Sequence, residues 1–264
     1  MKLVTITTLR ELKQAGQKIT CLTAYDYSFA SLLDRAGLDA IMVGDSLGMT
    51  MQGHASTLPV SIDDMAYHCA CVARGVTRAL IIGDMPFGSY QVSPEQAFEN
   101  AAMLMQSGAQ VVKLEGGAPM VETVRFLVER GIPVCAHLGL TPQSVHQLGG
   151  YRVQGRDADA AKRLREDAKH LQAAGASLLV LEAVPAALAK VISTELDIPT
   201  IGIGAGSDAD GQVLVLQDML GLYPRPSPKF SRNFMQGAES IEAAVKAYVE
   251  AVRGKTFPGP EHSY

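Results

Sequence analysis

The feature that most constrains the fold is an alternation, kept up along the whole chain, of short β-rich apolar runs with longer segments of helical period. Such a pattern indicates βα units and a parallel sheet, because parallel neighbours need a long crossover and a helix usually supplies it. The runs are ITCLTAY (19–25), DAIMVG (39–44), ALIIGD (79–84), QVVKLEG (110–116), IPVCAHL (132–138), SLLVLEA (177–183), IPTIGIG (198–204) and, less sharply, VLVLQD (213–218). Eight repeats in 264 residues predict an α/β fold closed as a (βα)8 TIM barrel, which takes about 250 residues as one unit. Residues 1–264 therefore read as a single domain, with no linker inside it.

Helix starts between the runs carry their own signals. Ser61 is followed by Asp64, and Ser93-Pro94-Glu95-Gln96 places proline at the first helical position. The run 156–175 mixes both signs of charge with apolar residues at helical spacing, so its charges form a solvated outer face. The proline-rich stretch YPRPSPKFSRNF (223–234) is expected to be a loop over the barrel mouth or a neighbouring subunit, and a last helix is expected near 238–253.

Composition narrows the partners. Hydrophobic residues make up 47% and charged residues 19%, a balance that supports a large core, and the net charge of −4 comes without a basic patch. Nucleic acid and an acidic membrane surface are thus excluded as expected partners. No stretch reaches the roughly 18 apolar residues of a membrane span, and MKLVTITTLRELKQAG lacks the apolar core of a signal peptide, so a cytoplasmic protein is expected. Cys21, Cys69, Cys71 and Cys135 form no C-x-x-C pair and read as reduced packing residues.

In a parallel barrel every strand delivers its C-terminal end to one rim, where active sites of this fold are assembled. Here six consecutive strands run out in ionisable groups: Asp26, Asp45 (beside Ser46), Asp84, Lys113 with Glu115, His137, and Glu182. One Asp after a strand is readily a helix cap, and Asp26 is left to that role. Capping does not explain carboxylates gathered from adjacent strands, because like charges held close raise each other's pKa unless a cation sits among them. Oxygen-only donors with room for waters and substrate suit magnesium better than calcium or zinc. Lys113 shares strand parity with Glu115 in a strand with no solvated face, so its ammonium should point to the rim, toward a carboxylate or an anionic substrate. The run Gly202-Ile203-Gly204-Ala205-Gly206 follows strand 7, where barrels often bind phosphate, yet it lacks the G-x-G-x-x-G spacing; a tight turn is the stronger reading. Gly149-Gly150-Tyr151 through Arg156 mark a long loop that could be a lid or plain turn chemistry.

The motifs TAYDYSFA (23–30), VGDSLGM (43–49), QGHASTLPV (52–60), DMPFGSY (84–90), VKLEGG (112–117), HLGLTPQ (137–143), GGYRVQGR (149–156), LEAVP (181–185), IGIGAG (201–206), PKF (228–230) and FPGPEHSY (257–264) closely resemble those of the ketopantoate hydroxymethyltransferase (3-methyl-2-oxobutanoate hydroxymethyltransferase) family, nearly end to end. The resemblance implies a fold similar to the phosphoenolpyruvate/pyruvate barrels and a homo-oligomer, commonly a decamer. It also implies transfer of a one-carbon unit from 5,10-methylenetetrahydrofolate to 3-methyl-2-oxobutanoate through a magnesium-stabilised enolate, giving 2-dehydropantoate for pantothenate biosynthesis. By the same resemblance Asp45 and Asp84 hold Mg2+ and stand at the substrate, and Glu115 reaches the metal directly or through water. Ser46 and Lys113 bind the oxo acid, and Glu182 is the base, set apart from the metal group on the far side of the mouth. His137 could contact substrate, orient a neighbour or serve as a satisfied structural histidine.

Two other readings compete. One is a magnesium-dependent lyase or mutase of the phosphoenolpyruvate/pyruvate barrel group; the lack of a strand-end cysteine, which some of those lyases use as an acid, counts against it. The other is a non-catalytic oxo-acid sensor, which would have no need of a base such as Glu182. No motif places the folate.

Overall fold

The computed structural model describes residues 3–224 and 226–264, so position 225, inside the proline-rich stretch, lies outside the described residues. Eight parallel strands close into a barrel in sequence order: β1 (Ile19–Thr23), β2 (Ala40–Val43), β3 (Leu80–Asp84), β4 (Val111–Glu115), β5 (Val134–Gly139), β6 (Leu178–Glu182), β7 (Thr200–Ile203) and β8 (Gly211–Leu214), with β8 pairing back onto β1. The TIM-barrel expectation is met.

The helices in chain order are α1 (Ile6–Gln14), α2 (Tyr27–Arg35), α3 (Leu47–Thr50), α4 (Ile62–Gly75), α5 (Pro94–Gln106), α6 (Val121–Glu129), α7 (Ala158–Ala173), α8 (Ala186–Glu195), α9 (Leu216–Met219) and α10 (Ile241–Arg253). Their starts follow from sequence. Ser61 and Asp64 form a reciprocal capping box on α4, Ser93 accepts from the Gln96 N–H at the start of α5, and Asp26 caps α2 by accepting from the Phe29 N–H. Asp26 is therefore a cap.

The strands are buried on both faces, as a sheet covered by helices must be. Cys21, Cys69 and Cys135 are buried free thiols in this core and Cys71 is half-buried. The helix expected near 238–253 is α10, which buries Ala244, Val245, Tyr248, Val249 and Val252 within its own chain. Its Tyr248 hydroxyl lies 2.9 Å and 3.0 Å from the Cys21 and Gln212 carbonyls, tying it to β1 and β8.

The structure corrects the eighth strand. It begins at Gly211 and ends at Leu214, and the rest of the run 213–218 passes into α9. No helix separates β7 from β8, so the spacing that announces the other strands is missing there. The glycine run supplies the tight return instead: Gly204 and Gly206 adopt φ of +63° and +80°, and a side chain at Gly204 would meet Phe230 and Tyr264. The tight-turn reading of this run holds. Among the described residues no helix is long and apolar enough to cross a membrane.

Candidate active site

Strand register assembles the site. Asp84 on β3 pairs with Lys113 on β4, and Glu115 pairs with His137 on β5, so the side chains at these strand ends are nearest neighbours around the rim. Lys113 Nζ lies 2.9 Å from Asp84 Oδ1 and 3.9 Å from Glu115 Oε1. Asp45, just past β2, donates its backbone N–H to Asp84 Oδ2 at 3.1 Å. Ser46 shares a 2.8 Å hydrogen bond with the Tyr25 hydroxyl. Asp45, Ser46, Asp84, Lys113, Glu115, His137 and Glu182 all line one cavity of about 990 Å³.

His137 joins two acids. Its Nδ1 donates to Glu115 Oε1 at 3.2 Å, and its Nε2 stands 3.3 Å from Glu182 Oε2. This corrects the placing of Glu182 far from the acid group: a single imidazole separates it from Glu115. The turn after Glu182 is fixed in an unusual conformation. Ala183 has φ of +46°, held by its N–H to the Ile203 carbonyl and by the Gln154 N–H to its own carbonyl, both at 2.9 Å.

The charges set each other's protonation. Burial and the charge of Lys113 pull His137 down, but the hydrogen bond to Glu115 and the close Glu182 carboxylate win and raise it to about 9, so it is an imidazolium at neutral pH. Burial pushes Glu115 up, yet the hydrogen bond and charge of His137, the charge of Lys113 and the Gln143 N–H hold it below the usual carboxylate range. Burial works against Lys113 too and is outweighed by Asp84, Glu115 and Asp45, which raise it. Asp45 is compensated least: burial first, then the charges of Asp84 and Glu115, push it to about 7 against the charge of Lys113 and the Gln143 hydrogen bond. The acid group is therefore balanced in part by the protein's own cations and remains short of positive charge at Asp45.

Two residues outside the strand-end set prove integral. Gln143 follows β5 on a short 3-10 turn and is buried. Its amide NH2 donates to Asp45 Oδ2 and the Met85 carbonyl, both at 2.9 Å, and its backbone N–H donates to Glu115 Oε2 at 3.0 Å. Tyr90 accepts the Glu115 N–H at 3.1 Å and donates to Gln143 Oε1 at 2.6 Å. With Tyr25 on Ser46, these neutral groups fix the carboxylates without adding charge. The only sequence signal for Tyr90 and Gln143 is membership of the motifs 84–90 and 137–143, while Tyr25 ends the first strand run.

Among the described residues no three His, Cys, Asp or Glu side chains stand as a ready-made metal cluster. The donor set still suits a hard ion. Asp84 Oδ1 is buried and makes no hydrogen bond, even with Lys113 close by. Magnesium commonly takes one or two carboxylates and completes its shell with water and substrate oxygens. Both Glu115 oxygens are already engaged, by His137 and by the Gln143 N–H. The loops 149–156 and 223–234 each lend side chains to the cavity, among them Tyr151, Arg152, Tyr223 and Phe230.

These features define a (βα)8-barrel enzyme with a buried, acid-rich pocket at the C-terminal ends of its strands. The sequence model of the ketopantoate hydroxymethyltransferase family matches residues 3–260. A 3-methyl-2-oxobutanoate hydroxymethyltransferase from Methylobacillus flagellatus is 67% identical over 257 residues, covering 97% of this chain and 98% of that protein. The chain belongs to the ketopantoate hydroxymethyltransferase family. Its fold is also similar to that of a putative phosphonomutase from Burkholderia cenocepacia J2315 (TM-score 0.65, 17% identity, covering 82% of this chain and 94% of that one). A phosphonopyruvate hydrolase solved with oxalate and Mg++ is similar in fold as well (TM-score 0.60, 12% identity, covering 80% of each chain).

Proposed function

We propose that this chain transfers a hydroxymethyl group from 5,10-methylenetetrahydrofolate to 3-methyl-2-oxobutanoate in the presence of magnesium, giving 2-dehydropantoate and tetrahydrofolate. The observation that carries the reading is the convergence of Asp45, Asp84, Lys113, Glu115, His137 and Glu182 on one cavity, in a chain whose relative of that name is 67% identical. With Asp45, Asp84, Glu115 and Glu182 written as carboxylates, the two cations Lys113 and His137 leave two negative charges over, the charge of one divalent ion.

Asp45 and Asp84 would hold that ion directly, and Glu115, with both oxygens engaged, would reach it through water. When bound, magnesium supplies Lewis acidity to the 2-oxo oxygen as negative charge builds there. Lys113 and Ser46 bind the substrate carboxylate. Glu182 takes the proton from C3. His137, a cation at neutral pH 3.3 Å from one Glu182 oxygen, attracts that oxygen and so biases the direction from which the base approaches. C3 then bonds to the folate methylene carbon, the carbon–nitrogen bonds to the folate break, and water supplies the hydroxyl oxygen. The same reading makes the active form a homo-oligomer, most simply a decamer, which sedimentation velocity measures directly.

The test is turnover by the purified protein with MgCl2, 3-methyl-2-oxobutanoate and 5,10-methylenetetrahydrofolate. Stoichiometric 2-dehydropantoate and tetrahydrofolate are expected, and EDTA should abolish both. Release of pyruvate or phosphate from a lyase or mutase substrate, with no folate consumed, would overturn the reading.

A further inference from the structure

The cavity is at the upper end of the range that holds drug-sized ligands, roughly 300–1,000 Å³, so a five-carbon oxo acid at the β3–β6 end leaves much of it empty. The wall beyond β8 carries a group that the oxo-acid reading does not use. Asp218, in α9 directly after β8, lines the cavity, is 9% exposed, and has an Oδ1 with no hydrogen-bond partner among the described residues. Burial pushes its carboxyl up to about 6, with no cation among the described residues to bring it down. Tyr223 lines the same cavity, and its hydroxyl is buried and unpartnered too. Buried polar groups are almost always satisfied, and leaving one unmade costs more than a typical hydrogen bond gains. Two such groups on one wall point to a ligand that completes them.

The chemistry of that ligand follows from the donors it must bring. An oxo acid offers no N–H and carries its own negative charge, so Asp218 repels it. A carboxylate pairs best with two adjacent N–H donors, which it can accept side by side. The same cavity is lined by the aromatic side chains of Tyr223, Phe230 and Tyr264, and so suits a flat ring. A reduced pterin has the matching edge, a 2-amino group beside a ring N–H. We infer that Asp218 is a specificity-determining residue that binds the amino-pyrimidine edge of the folate co-substrate, with the aromatic side chains of Tyr223, Phe230 and Tyr264 walling the ring. This rests on the proposed function, which supplies the folate.

The test separates the two substrates. In Asp218→Asn and Asp218→Ala, KM for 5,10-methylenetetrahydrofolate should rise on the order of ten- to hundred-fold, the loss expected for a charge-assisted contact. KM for 3-methyl-2-oxobutanoate in folate-free exchange of its C3 proton with D2O should move less than about two-fold, since that site lies elsewhere in the cavity. Calorimetric titration with tetrahydrofolate should show the same weakening. Removing an unpaired buried carboxyl should leave the thermal midpoint unchanged or raise it. Wild-type folate KM in both variants would overturn the inference while the proposed function stands. Loss of folate-free exchange together with folate turnover would assign Asp218 to the fold and overturn it as well. If the wild-type protein exchanges the C3 proton but consumes no folate, both readings fall.

Discussion

Replacing Lys113 by methionine removes the only side-chain cation among the described residues that is in contact with Asp84. Lys113 and Asp84 are ion-paired at 2.9 Å with side chains no more than 5% exposed. Breaking a buried pair by deleting one partner costs about 3–5 kcal/mol, because the other charge is left without compensation. The pH dependence identifies the cause. In magnesium-free buffer the folded variant should recover part of the loss by taking up a proton among Asp84, Asp45 and Glu115 that the wild-type protein does not bind. A folded state that binds one more proton than the unfolded chain loses stability as pH rises, at about 1.4 kcal/mol per unit. Asp45, pushed up to about 7, already gives the wild-type protein such a slope between the ordinary carboxylate range and neutrality. Lys113→Met should therefore show a steeper fall over about pH 5 to 7, by up to that amount per unit. Urea unfolding followed by far-ultraviolet circular dichroism at fixed protein concentration measures both curves. Saturating magnesium should flatten the variant's curve, adding about 2.7 kcal/mol at a hundred times Kd. Parallel wild-type and variant curves, offset by a constant, would refute the charge-balance account of this pocket.

Other perturbations test separate links. Asp84→Ala should weaken magnesium binding at least about ten-fold in calorimetric titration, since it removes a directly ligating carboxylate. Tyr90→Phe strips the hydroxyl that bridges the Glu115 N–H and Gln143 Oε1, and should cost about 1–3 kcal/mol in urea unfolding. Gly139→Ala puts a Cβ within 2.2 Å of the Glu182 carbonyl at a φ of +94°. It should cost more than about 1 kcal/mol and lower turnover by displacing Glu182.

The barrel was legible because each strand but one is followed by a helix, and the acids were legible because the fold sends strand ends to one rim. β8 was misplaced since glycines rather than a helix return the chain to it, and the apolar run that marks it continues into α9. The carboxylate set was readable as charge. Gln143 and Tyr90 were not, because neutral side chains on a 3-10 turn and a loop have no spacing signature. The link from Glu115 through His137 to Glu182 depends on strand register. Register places Glu115 opposite His137 and Gly139 opposite Glu182, and no periodicity in a single strand specifies it. Asp218 closes the run 213–218, the least sharply marked of the eight, and only the structure shows that it stands in α9 beyond β8.

The most direct test of the central claim is the rate at which the C3 proton of 3-methyl-2-oxobutanoate exchanges into D2O, read by proton NMR with magnesium present and folate absent. Glu182→Gln should slow that exchange by about 10²- to 10⁴-fold while magnesium affinity stays at the wild-type value. Exchange at the native rate in Glu182→Gln would show that the base lies elsewhere.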